Sequence, residues 1–365
     1  MKKVLLFFIA LVAVMGIYYV DHYEKKENII EEFFSDIKDY TGEYIINSDR
    51  TLKDIDYSTD KIDTSVLYLR GEFTLSILDS TINKKGDSYN KYDGINSSII
   101  VDKSNLVIDN TTILTRGLYA NGIYNKGNVL LKDSNINTAK DYSKVIINEE
   151  IIEINNSILS SDGVNSDIID NNGVLNINNG TYNSKSGFLI NNGVSNIKEA
   201  NIDSRDGILN NGILNLDSIN MVNYKDYSIK SMGNSTININ NSSITNNGDY
   251  LMEFNYSDCV INMDNNTLIN NSDYIIKSVN SNSIINLNNQ SIDGNIYIDA
   301  SSKMTINMKN SYLNSKILNN KELIISMDKD STLILNNDLY LNGFNGLGNI
   351  EYNNYHIYIN NELYK

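Results

Sequence analysis

The 365-residue chain contains no proline and no tryptophan, a single cysteine and only two histidines. One thiol, Cys259, excludes an intramolecular disulfide. Cys259 stands just before an apolar pair, which predicts a buried thiol rather than a reactive one. Proline cannot donate to a sheet ladder, so its absence suits strands paired on both edges. Asn, Ile, Lys and Tyr are abundant, a bias that AT-rich coding also produces, so missing proline carries little weight alone. The imidazoles are His22 and His356, and the arginines Arg50, Arg70, Arg116 and Arg205 are scattered. There is no Gly-rich phosphate loop before a helix, no zinc-ligand spacing and no nucleophile elbow, and no cofactor is expected.

Basic residues are outnumbered 45 to 30, for a net charge of −15 and a pI near 4.6. Such a surface repels phosphate backbones and anionic lipid, which argues against a nucleic-acid partner. Lys2 and Lys3 precede an uncharged apolar run from Val4 to Val20 that Asp21 ends. A basic start followed by such a run is an export signal. Its 17 residues lie at the lower edge of what spans a bilayer. No small-x-small cleavage site comes after it, which favours an uncleaved anchor over a removed signal peptide. With the lysines inside, the rest of the chain is exported. No cysteine near the start invites lipidation and no apolar tail closes the chain, so residues 1–20 are the expected tether. From Asn28 to Tyr40 the apolar Ile29, Ile30, Phe33, Phe34 and Ile37 recur at helical spacing, which predicts an amphipathic helix that caps the first repeat.

From about Ser65 to the C-terminus one motif recurs: two apolar residues spaced by two. The pairs are Leu75/Ile77, Leu106/Ile108, Val129/Leu131, Ile152/Ile154, Leu175/Ile177, Ser195/Ile197, Leu214/Leu216, Ile237/Ile239, Ile261/Met263, Ile285/Leu287, Ile306/Met308, Leu333/Leu335 and Ile357/Ile359. They succeed one another at 19 to 31 residues, and only Ser195 among them is polar. A spacing of two puts both side chains on one face of a strand. Five residues after most pairs comes another apolar residue, including Ile82, Ile113, Ile136, Tyr182, Ile202, Met221, Ile244, Leu268, Ile292 and Leu313. Asn, Asp, Ser and Thr fill the gap, as turns and left-handed backbone prefer. A further apolar segment, such as Ile146–Ile147 or Phe188–Ile190, completes each repeat.

A single coil of this kind cannot bury its inner face alone, but stacked coils share one core. The expectation is an all-β chain: a right-handed parallel β-helix of about 13 coils over residues 65–365. Residues 1–20 would be the signal or anchor, and residues 21–64 the capping helix and entry. A leucine-rich repeat has an overlapping period but needs an apolar residue three before the pair, where Asn172 and Asn211 stand.

Gly207-Ile-Leu-Asn-Asn-Gly-Ile-Leu-Asn-Leu and Gly122-Ile-Tyr-Asn-Lys-Gly-Asn-Val-Leu-Leu resemble the coils of pectate-lyase-like β-helix proteins. They are similar above all to coils of adhesin-like surface proteins and of polymorphic outer-membrane-protein passenger regions. The resemblance spans most of the chain beyond Ser65 and implies a fold; it says little about function.

Two outward stripes are expected. Asn176, Asn196, Asn215, Asn238, Asn262, Asn286 and Asn307 lie between the paired apolar positions of seven successive coils. They form either an amide ladder or a polar strip for a glycan or cell-wall polymer. Asp-Tyr dipeptides open the second segment of four coils, and their Tyr142, Tyr227, Tyr250 and Tyr274 are the candidate ligand-binding residues. Rows of tyrosine hold sugar rings or simply stabilise a solenoid.

Lyases of the resembled class use calcium-binding carboxylates with a basic arginine or lysine, and its hydrolases use close aspartates with a histidine. Here only Asp203, Arg205 and Asp206 stand together, and a solvated turn accounts for them. The expected function is therefore an exported surface adhesin or interaction scaffold without catalysis, with a glycan or surface protein as partner. The alternatives are a polysaccharide lyase or hydrolase and a passive envelope spacer.

Overall fold

Strand pairing in the computed structural model, which describes residues 40–89, 94–318 and 322–364, is parallel throughout apart from one terminal hairpin. The expected anchor, and the expected capping helix as far as residue 39, lie outside the described residues. Among the described residues there is no helix, hence none able to cross a membrane.

Each coil contributes a strand to each of three faces. In the first coil these are Gly42–Ile46, Arg50–Lys53 and Asp56–Thr59, and each pairs with the corresponding strand of the next coil, Ser65–Arg70, Thr74–Leu78 and Thr81–Lys84. A coil thus precedes Ser65, and the stack is a parallel β-solenoid of about 13 turns. The coil at Arg50/Leu52 escapes a search for apolar pairs because arginine occupies the first position of its pair.

The apolar pairs from Leu75/Ile77 to Ile306/Met308 all lie on the second face, in mutual register and buried. Each enclosed aliphatic contributes roughly 1.5–3 kcal/mol, offset by chain ordering. The residues five positions on also line the third face, in register from Ile82 through Tyr182 to Leu268 and, in a separate sheet, from Ile292 to Leu313.

The last two pairs are a correction. Leu333 pairs with Leu313 and Ile350, which puts Leu333/Leu335 on the third face. Ile357/Ile359 pairs with Leu339/Leu341 in a separate small sheet. The second face continues instead through Ile325/Met327 to Phe344/Gly346. Leu-x-Leu occurs on more than one face near this end, and apolar alternation alone does not say which face a strand occupies.

The turn between the second and third faces repeats as faithfully as the strands. Two residues after the second member of each pair the backbone has positive φ: Asp54, Asp79, Asn110, Asp133, Asn156, Asn179, Glu199, Ser218, Asn241, Asn265, Asn289 and Asn310. Asn and Asp tolerate this left-handed conformation better than other side chains, which explains their recurrence. The next position carries Ser80, Thr111, Ser134, Ser157, Ser242, Gln290 or Ser311, which receive hydrogen bonds from the backbone of neighbouring coils. Thus Ser134 Oγ accepts from Thr111 N at 3.0 Å and Ser157 Oγ from Ser134 N at 3.2 Å.

Candidate functional site

The second face turns outward the residues between its buried pairs. Asn176, Asn196, Asn215, Asn238, Asn262, Asn286 and Asn307 are directly opposite one another along the stack. Each Nδ2 from Asn196 onward donates to the Oδ1 of the preceding coil's asparagine, at 2.6–2.8 Å. The expected amide ladder is present over all seven positions, and every member is half-buried.

Beside the ladder runs a second outward column: Ile151, Val174, Val194, Ile213, Thr236, Val260, Ile284, Thr305 and Ile324. All nine are β-branched, as an exposed strand favours. Ile151, Ile213, Ile284 and Ile324 each remain more than 40% exposed. Two open grooves of about 480 Å³ border the ladder on its other side, one floored by Asn176, Asn196 and Asn215 and one by Asn286, Asn307 and Ser326. A third, of about 410 Å³, lies against Val260, Ile284 and Thr305.

The first face holds a different ladder, which turns inward. Asn125, Asn148, Asn171, Asn191 and Asn210 are fully buried, and each of the first four donates to the next at 2.7–2.9 Å. Ser195, the polar exception among the pairs, belongs to it: its Oγ donates to Asn191 Oδ1 at 2.7 Å and accepts from Asn171 Nδ2 at 3.1 Å. Buried amides need every donor and acceptor satisfied, and this ladder supplies partners coil by coil. Sequence reasoning missed it because a core asparagine looks like a turn asparagine until register is known. The available signal was Asn recurring two residues after Ile123, Ile146, Ile169, Leu189 and Ile208.

The candidate tyrosines separate into two groups. Tyr227, Tyr250 and Tyr274 are in register on successive coils, and all are half-buried. Tyr142 is elsewhere. It lies four residues before Ile146, whereas Tyr227 lies two before Ile229, and the intervening pairings place Ile146 and Ile229 in one column. Tyr142 stacks on Tyr119, with centroids 4.8 Å apart. A turn of different length shifted it.

Beside the three aligned tyrosines, Lys230, Glu253 and Lys277 are also in register. Glu253 is buried and bridges both lysines, at 2.9 Å to Lys230 and 3.5 Å to Lys277. Lys277 Nζ lies 4.3 Å from the Tyr250 ring centroid and donates to Tyr250 Oη at 3.2 Å. Burial works against the Lys277 charge, but the Tyr250 hydrogen bond and Glu253 together hold its pKa above the ordinary value. Tyr227 is pushed up to about 12, by burial first and then by Asp206, Asp167, Asp226 and Glu253. The rings therefore do not stack face to face as a simple ladder; lysines sit over two of them.

Asp206 adjoins this corner. Its Oδ1 is buried without a hydrogen-bond partner, and its carboxyl pKa is raised by burial and by Asp226, with Arg205 and Lys225 opposing. Asp203 instead accepts from Tyr224 Oη at 3.2 Å. Cys259 is buried and burial pushes its thiol up to about 11, so it is not a nucleophile at neutral pH. Among the described residues no three His, Cys, Asp or Glu side chains converge on a point that would hold a metal ion. Comparison with protein-family models, with curated proteins and with solved structures found no match.

Proposed function

We propose that the chain is an exported surface protein, an adhesin or interaction scaffold, whose solenoid displays identical groups at one-strand spacing to a repeating ligand. The observation that carries this reading is the alignment of Tyr227, Tyr250 and Tyr274 on three successive coils, flanked by the Lys230–Glu253–Lys277 row. Strand spacing is about 4.8 Å, so the three rings offer a sugar polymer or a repetitive protein three contacts along about 10 Å. The basic start and apolar run of residues 2–20 support export.

The test is a binding screen of the exported part against host glycans, matrix proteins and bacterial cell-wall polymers, with Tyr250→Ala alongside. Binding to one class, weakened at least tenfold by Tyr250→Ala, is the expected result. Absence of binding to every class, with unchanged attachment of a deletion strain, contradicts it.

Asp206 supports a second reading, a polysaccharide lyase or hydrolase, because its Oδ1 is buried without a hydrogen-bond partner and burial raises its carboxyl pKa, the direction that general-acid work needs. That reading requires release of unsaturated or reducing ends from an acidic polysaccharide, abolished by Asp206→Asn.

A further inference from the structure

The outward surface of the second face combines features that no single residue reveals. In the ladder each interior asparagine uses one of its two amide hydrogens and one carbonyl lone pair on its neighbours. One donor and one acceptor per coil remain, repeated at strand spacing and held in one orientation by the ladder itself. Next to them stands the β-branched column, with Ile213, Ile284 and Ile324 exposed by 44%, 42% and 41%. On the other side the grooves are bordered by Asn178, Lys198, Asp217, Asn288, Lys309 and Asp328, where charges of both signs alternate with amides.

We infer that this strip binds an extended, uncharged, hydroxyl-rich polysaccharide lying along the stacking direction. The polymer's chemistry complements the strip. A pyranose chain presents hydroxyls at its ring edges and C–H groups on its ring faces, and in an extended β-1,4-linked chain successive sugars are spaced slightly more widely than strands, which lie about 4.8 Å apart. Hydroxyls meet the free amide valences, and apolar ring faces meet the aliphatic column. A polyanion is disfavoured, because carboxylates at Asp217 and Asp328 stand beside the lysines and the whole chain carries −15. Fixed amide rungs lose little rotamer freedom on binding, which lowers the entropic cost of each contact. This inference rests on the interaction-scaffold reading but uses a different face from the tyrosine corner.

The experiment is co-sedimentation of the exported chain with insoluble cellulose, chitin and β-1,3-glucan, and with cross-linked pectate as the acidic comparison. The variants are Ile213→Asp with Ile284→Asp, and separately Tyr250→Ala. The aspartates replace exposed side chains, and a thermal melt checks that each variant folds. The expected result is retention on at least one neutral polymer, at least tenfold weaker for the double aspartate variant. Retention on none of the neutral polymers, stronger retention on pectate, or neutral-polymer binding indifferent to the double variant overturns the assignment. So does a halving of solution mass by the double variant, which would make the strip a self-association surface. Ligand capture sensitive only to Tyr250→Ala would sink this inference and leave the scaffold reading standing.

Discussion

Lys84 is fully enclosed, on an inward column of the third face, and its Nζ donates to the carbonyls of Lys61 at 2.7 Å and Gly86 at 3.0 Å. Burial lowers its pKa from 10.5 to about 8, with Asp63, Asp87 and Asp60 opposing. A lysine whose folded pKa lies below its unfolded value destabilises the protein below the folded pKa, and that penalty is relieved as pH rises toward the unfolded one. Wild type should therefore gain up to about 3 kcal/mol relative to Lys84→Met between pH 7.5 and 10.5. Denaturant titrations across that range check this, and a constant difference between the two proteins contradicts it. The asparagines make a second residue-scale contrast. Asn171→Leu removes one buried hydrogen bond each from Asn148, Asn191 and Ser195 and interrupts the inward ladder, and should cost about 2–4 kcal/mol. Asn238→Ser on the outward ladder should cost under about 1 kcal/mol. Chemical unfolding of the two variants separates the inward ladder from the outward one. Asn238 was recognisable in the sequence because it is flanked by a buried pair; Asn171 was not, since its column carries a polar residue where alternation predicts an apolar one.

At the scale of the element, the strand–turn–strand corner after each pair is the unit that repeats. Asn241 has a φ of 49° there, and Ile244 re-enters the core three residues later. Asn241→Val should destabilise by about 1–2 kcal/mol, since β-branched residues are strained in the left-handed region, whereas Asn241→Gly should be nearly neutral. Thermal melts of both variants measure this, and equal losses would contradict the turn assignment. This corner was legible because its length is constant, so an apolar residue returns five positions after the pair. The turn leading into the first face varies in length from coil to coil. That is why the dipeptides at Tyr142 and Tyr227 look equivalent in sequence yet lie in different columns, and why apolar spacing alone puts the pair at Leu333 on the wrong face.

For the solenoid as a whole, one coil is a removable layer. Deleting residues 194–212 joins Gly193 to Ile213, which occupies Val194's position one coil on. The shortened chain should keep a cooperative transition and strand-rich circular dichroism, because nearest-neighbour contacts are restored. Deleting residues 194–203 instead misplaces every later turn and should abolish folding. The fold class and most of the coil count were evident from apolar spacing, since a solenoid's core repeats with its sequence. The surface chemistry was less so, because it depends on which outward residues meet across coils.

The central claim is that the surface is a set of straight columns in which equivalent residues repeat at strand spacing. Spin labels at Asn178→Cys and Lys309→Cys, on a Cys259→Ser background, test it by pulsed dipolar spectroscopy. The two sites are joined by registered steps through Lys198, Asp217, Asn240, Asp264 and Asn288. Six spacings of about 4.8 Å place them about 29 Å apart. A single maximum near that distance is the predicted result. A maximum displaced by more than about 10 Å, beyond what six strand spacings allow, or no defined maximum, would contradict the account.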